Sequence, residues 1–179
     1  MNGHHHAHEA PDHIRAFILT VSDTRTVETD SSGRLIRSLL QEGGHHVVDH
    51  EIVRDDFGAI QEAVRREIED PRTQVIILTG GTGISPRDVT FEAIRGLLEK
   101  ELPGYGELFR MLSYAEIGAA TILSRAIAGI AKSTLVIATP GSSNAVRLAM
   151  EKIILPEVGH LLREATKGVP IIPPMPREG

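Results

Sequence analysis

Apolar residues fall in short runs along the chain. Continuous runs alternate with runs spaced every three or four positions. Ala16-Phe17-Ile18-Leu19-Thr20-Val21 is continuous and predicts a buried strand. The polar loop Ser22-Asp23-Thr24-Arg25 follows it. Leu35, Ile36, Leu39 and Leu40 then share one helical face, with Ser31 or Ser32 as the expected cap and Gly43-Gly44 as the stop. A second strand runs from Val47-Val48 to Ile52-Val53 and ends in the acidic turn Arg54-Asp55-Asp56. Phe57, Ile60, Val64 and Ile68 recur at helical spacing, with Pro71 beyond the end. Val75-Ile76-Ile77-Leu78 is the most apolar run and predicts a third strand.

In the second half, Thr90 is the expected cap of a helix carrying Ile94, Leu97 and Leu98, which Pro103-Gly104 should break. Ser113-Tyr114-Ala115-Glu116 matches a capping box and predicts the start of another helix. Ala126-Ile127 and Leu135-Val136-Ile137-Ala138 read as strands around a Lys132-Ser133 turn. Ser142 or Ser143 should cap a last helix with Val146, Met150 and Ile153, interrupted at Pro156 and continued by Val158, Leu161 and Leu162. Strand, helix, strand, helix, strand predicts an α/β fold with a mostly parallel sheet and right-handed crossovers.

Composition narrows this picture. A chain of 179 residues fits one domain, read as 14–167, between a His-rich lead-in (1–13) and a proline-rich extended tail (168–179). His4, His5, His6 and His8 can bind a metal, but a solvated tail or cloning remnant is the favoured reading. Aromatics are 3%, so the core must be built from aliphatic side chains, which suits a helix-covered parallel sheet. The net charge of −5 leaves no surplus to neutralise a nucleic-acid backbone. No apolar run is long enough to span a bilayer, and the N-terminus has no hydrophobic signal core. The absence of cysteine excludes disulfides and thiolate metal sites and fits a cytoplasmic location.

The chemistry gathers behind the strands. Thr79-Gly80-Gly81-Thr82-Gly83 directly follows the most apolar strand. Glycines there let ligand oxygens approach main-chain N–H groups, and the threonines add hydroxyls. The loop lacks the Gly-Lys-Ser/Thr of a P-loop, and Pro86 stands where a dinucleotide fingerprint ends in glycine. A plain strand-to-helix turn is the competing reading. Arg87 and Asp88 shift the balance toward a ligand: Arg87 suits a phosphate, and a carboxylate beside phosphate suggests Mg²⁺ between them. Capping of the following helix is the alternative for Asp88. Thr139-Pro140-Gly141-Ser142-Ser143-Asn144 is a second candidate anion-holding turn. With Ser22-Asp23 and Asp55-Asp56, these turns all follow predicted strands, which favours one shared crevice.

These residues resemble the molybdenum cofactor biosynthesis MoaB/MogA family. The likeness is carried by Thr79 to Gly83 with Arg87-Asp88, then Pro103-Gly104-Tyr105-Gly106-Glu107, Leu123-Ser124-Arg125 and Pro140-Gly141-Ser142, over about Ile14 to Thr166. Val21 to Thr26 and Glu107 to Ser113 look closest to the MoaB branch. The resemblance implies a three-layer molybdopterin-binding fold in a homotrimer or homohexamer, with other pathway proteins as possible partners. It also implies Mg²⁺-dependent adenylylation of molybdopterin by ATP, although some MoaB members lack that activity. Asp88 and Asp55 match the two acidic positions that active members use, and they would hold the metal. Gly80, Gly81, Thr82 and Gly83 would cradle phosphate, Pro140, Gly141 and Ser142 would shape the pterin side, and Ser22 and Asp23 the nucleotide side. Glu107 and Arg125 lie in family motifs without an assigned role. The alternative within the family is a molybdopterin-binding scaffold that performs no chemistry.

Overall fold

A computed structural model gives the fold of residues 13–168. The elements are β1 (Arg15–Val21), α1 (Ser31–Glu42), β2 (His46–Val53), α2 (Phe57–Glu69), β3 (Val75–Thr79), α3 (Thr90–Arg95), β4 (Lys100–Glu101) and α4 (Pro103–Ile117). A 3-10 turn (Gly118–Leu123), β5 (Ile127–Ala131), β6 (Thr134–Thr139), α5 (Ser143–Ala149), a π-type turn (Met150–Ile154) and α6 (Leu155–Thr166) complete the chain. Apart from His13 and Gly168, the two expected tails lie outside the described residues.

One six-stranded sheet has the order β2-β1-β3-β6-β5-β4. The first four strands in that order are parallel, and β5 and β4 are antiparallel to their neighbours. The apolar runs are continuous because both faces are covered. Ala16, Ile18, Val75, Ile77, Leu135 and Ile137 face one core with residues of α1, α4, α5 and α6. Phe17, Leu19, Val21, Ile76, Leu78, Val136 and Ala138 face the other, with residues of α2 and α3. The three-layer α/β expectation therefore holds. Each fully buried Ile or Leu removes enough apolar surface from water for about 1.5–3 kcal/mol.

Topology also fixes where a ligand can bind. From β1 the chain crosses to β2 on one side and then returns to β3 on the other, so the strand order reverses between β1 and β3. Ligands in open α/β sheets lie outside the carboxyl ends of strands at such a reversal. The register sets Thr20, Thr79 and Thr139 abreast on β1, β3 and β6, so their following turns start level with one another.

Local boundaries differ from expectation in five places. The cap of α1 is Asp30, whose side chain accepts from Gly33 N–H at 2.9 Å, so Ser31 and Ser32 are already helical. Thr90 is the first residue of α3 and makes no cap hydrogen bond, and the helix is too short to include Leu97 and Leu98. Pro103 opens α4 instead of breaking a helix, because a first-turn position needs no N–H. The Ser-x-x-Glu at 113–116 lies inside α4, where Ser113 is buried. The expected break at Pro156 becomes a π-type turn that carries α5 directly into α6.

Asp30 is fully buried and is the most heavily partnered carboxylate near the sheet edge. It accepts from Thr20 Oγ1 (2.5 Å), Gly33 N (2.9 Å) and Ser32 Oγ (3.2 Å), and lies 2.9 Å from His50 Nε2. Burial pushes its carboxyl upward, but the Thr20 hydroxyl, the Gly33 N–H, His50 and Ser32 together hold it below the usual carboxylate range. A folded-state value below the unfolded one means stability that is present at neutral pH and is lost on acidification through the folded value. Asp30→Ala also leaves those donors without an acceptor. It should cost about 3 kcal/mol, a fall in Tm of about 6–12 °C by thermal unfolding at pH 7.

Candidate functional site

The parallel register brings the turns after β1, β2, β3 and β6 to one edge, as their sequence positions predicted. Ser22 N donates to Val53 O at 2.8 Å, joining the turn after β1 to the end of β2. Gly80 N donates to Thr139 O at 3.1 Å, joining the β3 turn to the end of β6. Gly80 has φ +101°, and a Cβ there would lie 2.2 Å from Val21 O and collide with β1. At Gly141 a Cβ would come within 3.3 Å of Gly80 Cα. The glycine loop is thus wedged between two neighbouring backbones, a contact that only residues without side chains permit.

A cavity of about 360 Å³ opens from this edge. Gly80, Gly81, Thr82, Gly83 and Asp88 form one wall, and Pro140, Gly141 and Ser142 a second. The third wall is α4 and the 3-10 turn, with Phe109, Ser113, Glu116 and Ile117 among its residues. That volume suits a small organic ligand. The third wall escaped the sequence reading, because treating Ser113 as a helix start hid the face that α4 turns to the loop.

Asp55 and Asp88 flank the loop from opposite ends. Asp55 Oδ1 lies 2.9 Å from where a Gly81 Cβ would stand, and Asp88 Oδ2 lies 2.7 Å from the corresponding point at Gly83. Asp88 Oδ2 accepts from Ser85 N at 2.8 Å, which folds residues 85–88 into a turn, so the capping alternative for Asp88 is not realised. Asp55 Oδ1 receives a long contact from Val89 N at 3.4 Å, and Asp55 N donates to Asp23 Oδ1 at 3.3 Å. Burial raises the Asp55 carboxyl above its ordinary range; the Val89 N–H opposes this, while Asp88 and Asp23 add repulsion. Thr90 Oγ1 is buried without a hydrogen-bond partner, and a Cβ on Gly81 would sit 2.3 Å from it.

The other candidates have different occupations. Arg87 forms an exposed ion pair with Asp23. Ser22 Oγ accepts from Thr24 N and Arg25 N and so closes its own turn. Neither Ser22, Asp23 nor Arg87 lines the cavity; they stand beside Asp55 at the turns after β1 and β3. Thr79 Oγ1 donates to Pro140 O at 3.3 Å, so it links the two walls from beneath. Ser142 Oγ accepts from Ala145 N at 3.2 Å and caps α5, leaving its main chain to face the cavity.

The donor set can be tested against a divalent cation. Among the described residues no cluster of three or more His, Cys, Asp or Glu side chains could hold an ion unaided. Two carboxylates beside a phosphate-sized loop fit Mg²⁺, which keeps several waters and takes its remaining ligands from substrate phosphates. The mutual repulsion at Asp55 is what a cation would relieve. Without one, the charged Asp55 costs stability at neutral pH. Its folded value lies above the unfolded one, so the penalty is full above the folded value and is relieved as pH falls through it. Asp55→Asn should therefore equal or exceed the parent Tm at pH 7–8, and the difference should shrink as the pH approaches about 4. Paired melting curves across that range check the sign.

The comparisons with known proteins agree with this geometry. Residues 17–160 match a family described as a probable molybdopterin binding domain. The chain is 55% identical over 168 residues to molybdenum cofactor biosynthesis protein B of Bacillus subtilis, covering 93% of this chain and 99% of the relative. A crystal structure of a molybdenum cofactor biosynthesis protein B superposes with TM-score 0.86 at 52% identity, over 89% of this chain and 99% of the other. The tungsten cofactor synthesizing protein MoaB from Pyrococcus furiosus superposes with TM-score 0.75 at 40% identity, over 87% and 99%. Among the described residues no helix is long and apolar enough to cross a membrane.

Proposed function

Because the chain belongs to the family of probable molybdopterin binding domains, we propose that it acts in molybdenum cofactor biosynthesis by joining AMP from ATP to molybdopterin, releasing pyrophosphate. The observation that carries this reading is the pair Asp55 and Asp88, set on either side of a glycine loop that lines a ligand-sized cavity. The pterin lies in the cavity against Pro140, Gly141 and the apolar face of α4. ATP lies toward the turns after β1 and β2, where Ser22 and Asp23 stand. A terminal phosphate oxygen of molybdopterin attacks the α-phosphorus of ATP, a phosphorus–oxygen bond forms, and the bond to the β-phosphate oxygen breaks. Pyrophosphate leaves with that electron pair.

The protein's contribution is position and charge. The Gly80 N–H is taken by Thr139 O, so the main-chain N–H groups of Gly81, Thr82 and Gly83 hold phosphate oxygens and keep the two reactants in line. Asp55 and Asp88 would hold Mg²⁺, which supplies charge neutralisation at the phosphates. Arg87, held only by a surface ion pair, is free to exchange Asp23 for a phosphate, since such pairs hold weakly. The test is incubation with ATP, Mg²⁺ and molybdopterin, followed by a pyrophosphate assay. Release that requires both substrates is expected. Tight molybdopterin binding without pyrophosphate at saturating ligand would leave the scaffold reading standing.

The protein is further proposed to self-associate as a homotrimer or homohexamer. Met111, Tyr114 and Ile122, each more than half exposed and none of them lining the cavity, put apolar surface on α4 and the 3-10 turn. Clustered apolar exposure of this kind marks an interface. Sedimentation should give a mass of several chains, and a monomer would contradict this part of the proposal.

A further inference from the structure

Arg125 follows the 3-10 turn and precedes β5, more than forty residues from the glycine loop in sequence. In space it grips the segment that carries Asp88. Its main-chain N donates to Thr82 O at 3.1 Å. Its Nε donates to Gly83 O at 2.8 Å, and its Nη2 donates to Asp88 O at 2.8 Å. Nη1 pairs with Glu92 on α3, and the guanidinium carbon sits 5.3 Å from the centroid of the Phe91 ring. The side chain is 27% exposed, so the two carbonyl contacts are partly shielded from solvent while the Glu92 pair lies at the surface.

One guanidinium therefore holds both ends of the excursion from Gly83 to Asp88. Inside it, Asp88 N donates to Ser85 O at 2.9 Å while Asp88 Oδ2 accepts from Ser85 N at 2.8 Å, which makes a closed turn with no ladder of its own. Such a turn keeps its shape but is free to swing unless its ends are fixed. A planar fork with several fixed N–H directions can take two carbonyls and a carboxylate at once; a lysine ammonium on a flexible stem cannot hold that geometry.

We propose that Arg125 is a positioning residue for the adenylyl transfer described above: by holding the carbonyls of Gly83 and Asp88, it aims the Asp88 carboxylate at the metal and phosphate position beside the glycine loop. This rests on the proposed reaction, but the clamp has a readout of its own. Arg125 does not line the cavity and places its charge against Glu92, so its removal should disturb geometry more than binding.

The test compares Arg125→Lys, Arg125→Ala and Glu92→Gln in the full chain. Amide hydrogen exchange is measured without ligand. Exchange over residues 83–88 should speed up about tenfold or more in both Arg125 variants and stay unchanged in β3. Glu92→Gln, which keeps both carbonyl contacts, should exchange like the parent. In turnover, Arg125→Lys should lower kcat about tenfold while KM for molybdopterin stays within about twofold, and more Mg²⁺ should be needed for half-maximal rate. Unchanged exchange in both Arg125 variants would overturn the clamp, as would equal loosening in Glu92→Gln. A raised KM at constant kcat would also overturn it. If the parent protein turns nothing over, the adenylyl reading fails, and the exchange data with Mn²⁺–ATP binding, expected to weaken in Arg125→Lys, still decide the clamp.

Discussion

Asp88→Asn is expected to lower the rate of adenylyl transfer by about 100- to 1000-fold while leaving the fold intact, the loss seen when a preorganised electrostatic group is removed from a reacting phosphate or carbonyl. The amide keeps an oxygen that can accept from Ser85 N, so the turn at 85–88 survives. What disappears is the negative charge at the Gly83 end of the loop, and with it the hard oxygen that Mg²⁺ requires. Tm should move by no more than about 1–2 °C, since a half-buried loop side chain with its hydrogen bond preserved contributes little. Steady-state pyrophosphate release, with molybdopterin binding measured in parallel, checks both halves. Retained binding with lost turnover is the expected pair. Full turnover would remove Asp88 from the reaction.

Gly80→Ala should damage fold and site together. The position has φ +101°, and the added methyl carbon would lie 2.2 Å from a main-chain oxygen on β1 that has no room to retreat within a sheet. Strain in a glycine-only conformation plus a backbone collision should cost about 3 kcal/mol or more, a fall in Tm of about 6–12 °C. The Gly80 N–H to Thr139 bond would shift, and the Gly141 turn that rests on Gly80 would shift with it. Molybdopterin affinity should therefore fall even at temperatures where the variant is folded. Gly104→Ala is the control. A Cβ there meets nothing within 4 Å in the first turn of α4, so stability should hold or rise by about 0.5–1 kcal/mol. A parent-like Tm for Gly80→Ala would mean that the loop is not wedged as described.

The strands were legible because a sheet covered on both faces writes itself as unbroken aliphatic runs, as at Val75 to Leu78. The shared edge was legible too, since parallel strands must end together and each candidate turn followed a strand. The two-residue β4 left no pattern to find. Pro103 was misread because proline both ends one helix and starts another, and only packing decides which. Ser31 and Ser32 were the expected caps, and Asp30 did not stand out in the sequence; it caps the helix while Thr20 and His50, on the first two strands, meet its carboxylate.

Within the site, local motifs located the loop but not its partners. Arg87 sits where a phosphate ligand was expected, and it pairs with Asp23 from the turn after β1. Arg125 reaches Gly83 and Asp88 because β5 is antiparallel to β6 and so starts at the edge where β3 and β6 end, a relation no local pattern encodes. The wall supplied by Ser113, Glu116 and Ile117 depended on one continuous α4.

The most direct measurement uses ATP radiolabelled on its α-phosphate with molybdopterin and Mg²⁺, and follows where the label goes. Transfer of the label to molybdopterin, matched mole for mole by pyrophosphate and abolished in Asp88→Asn, is the predicted result. Label that stays in ATP while molybdopterin remains bound would contradict it.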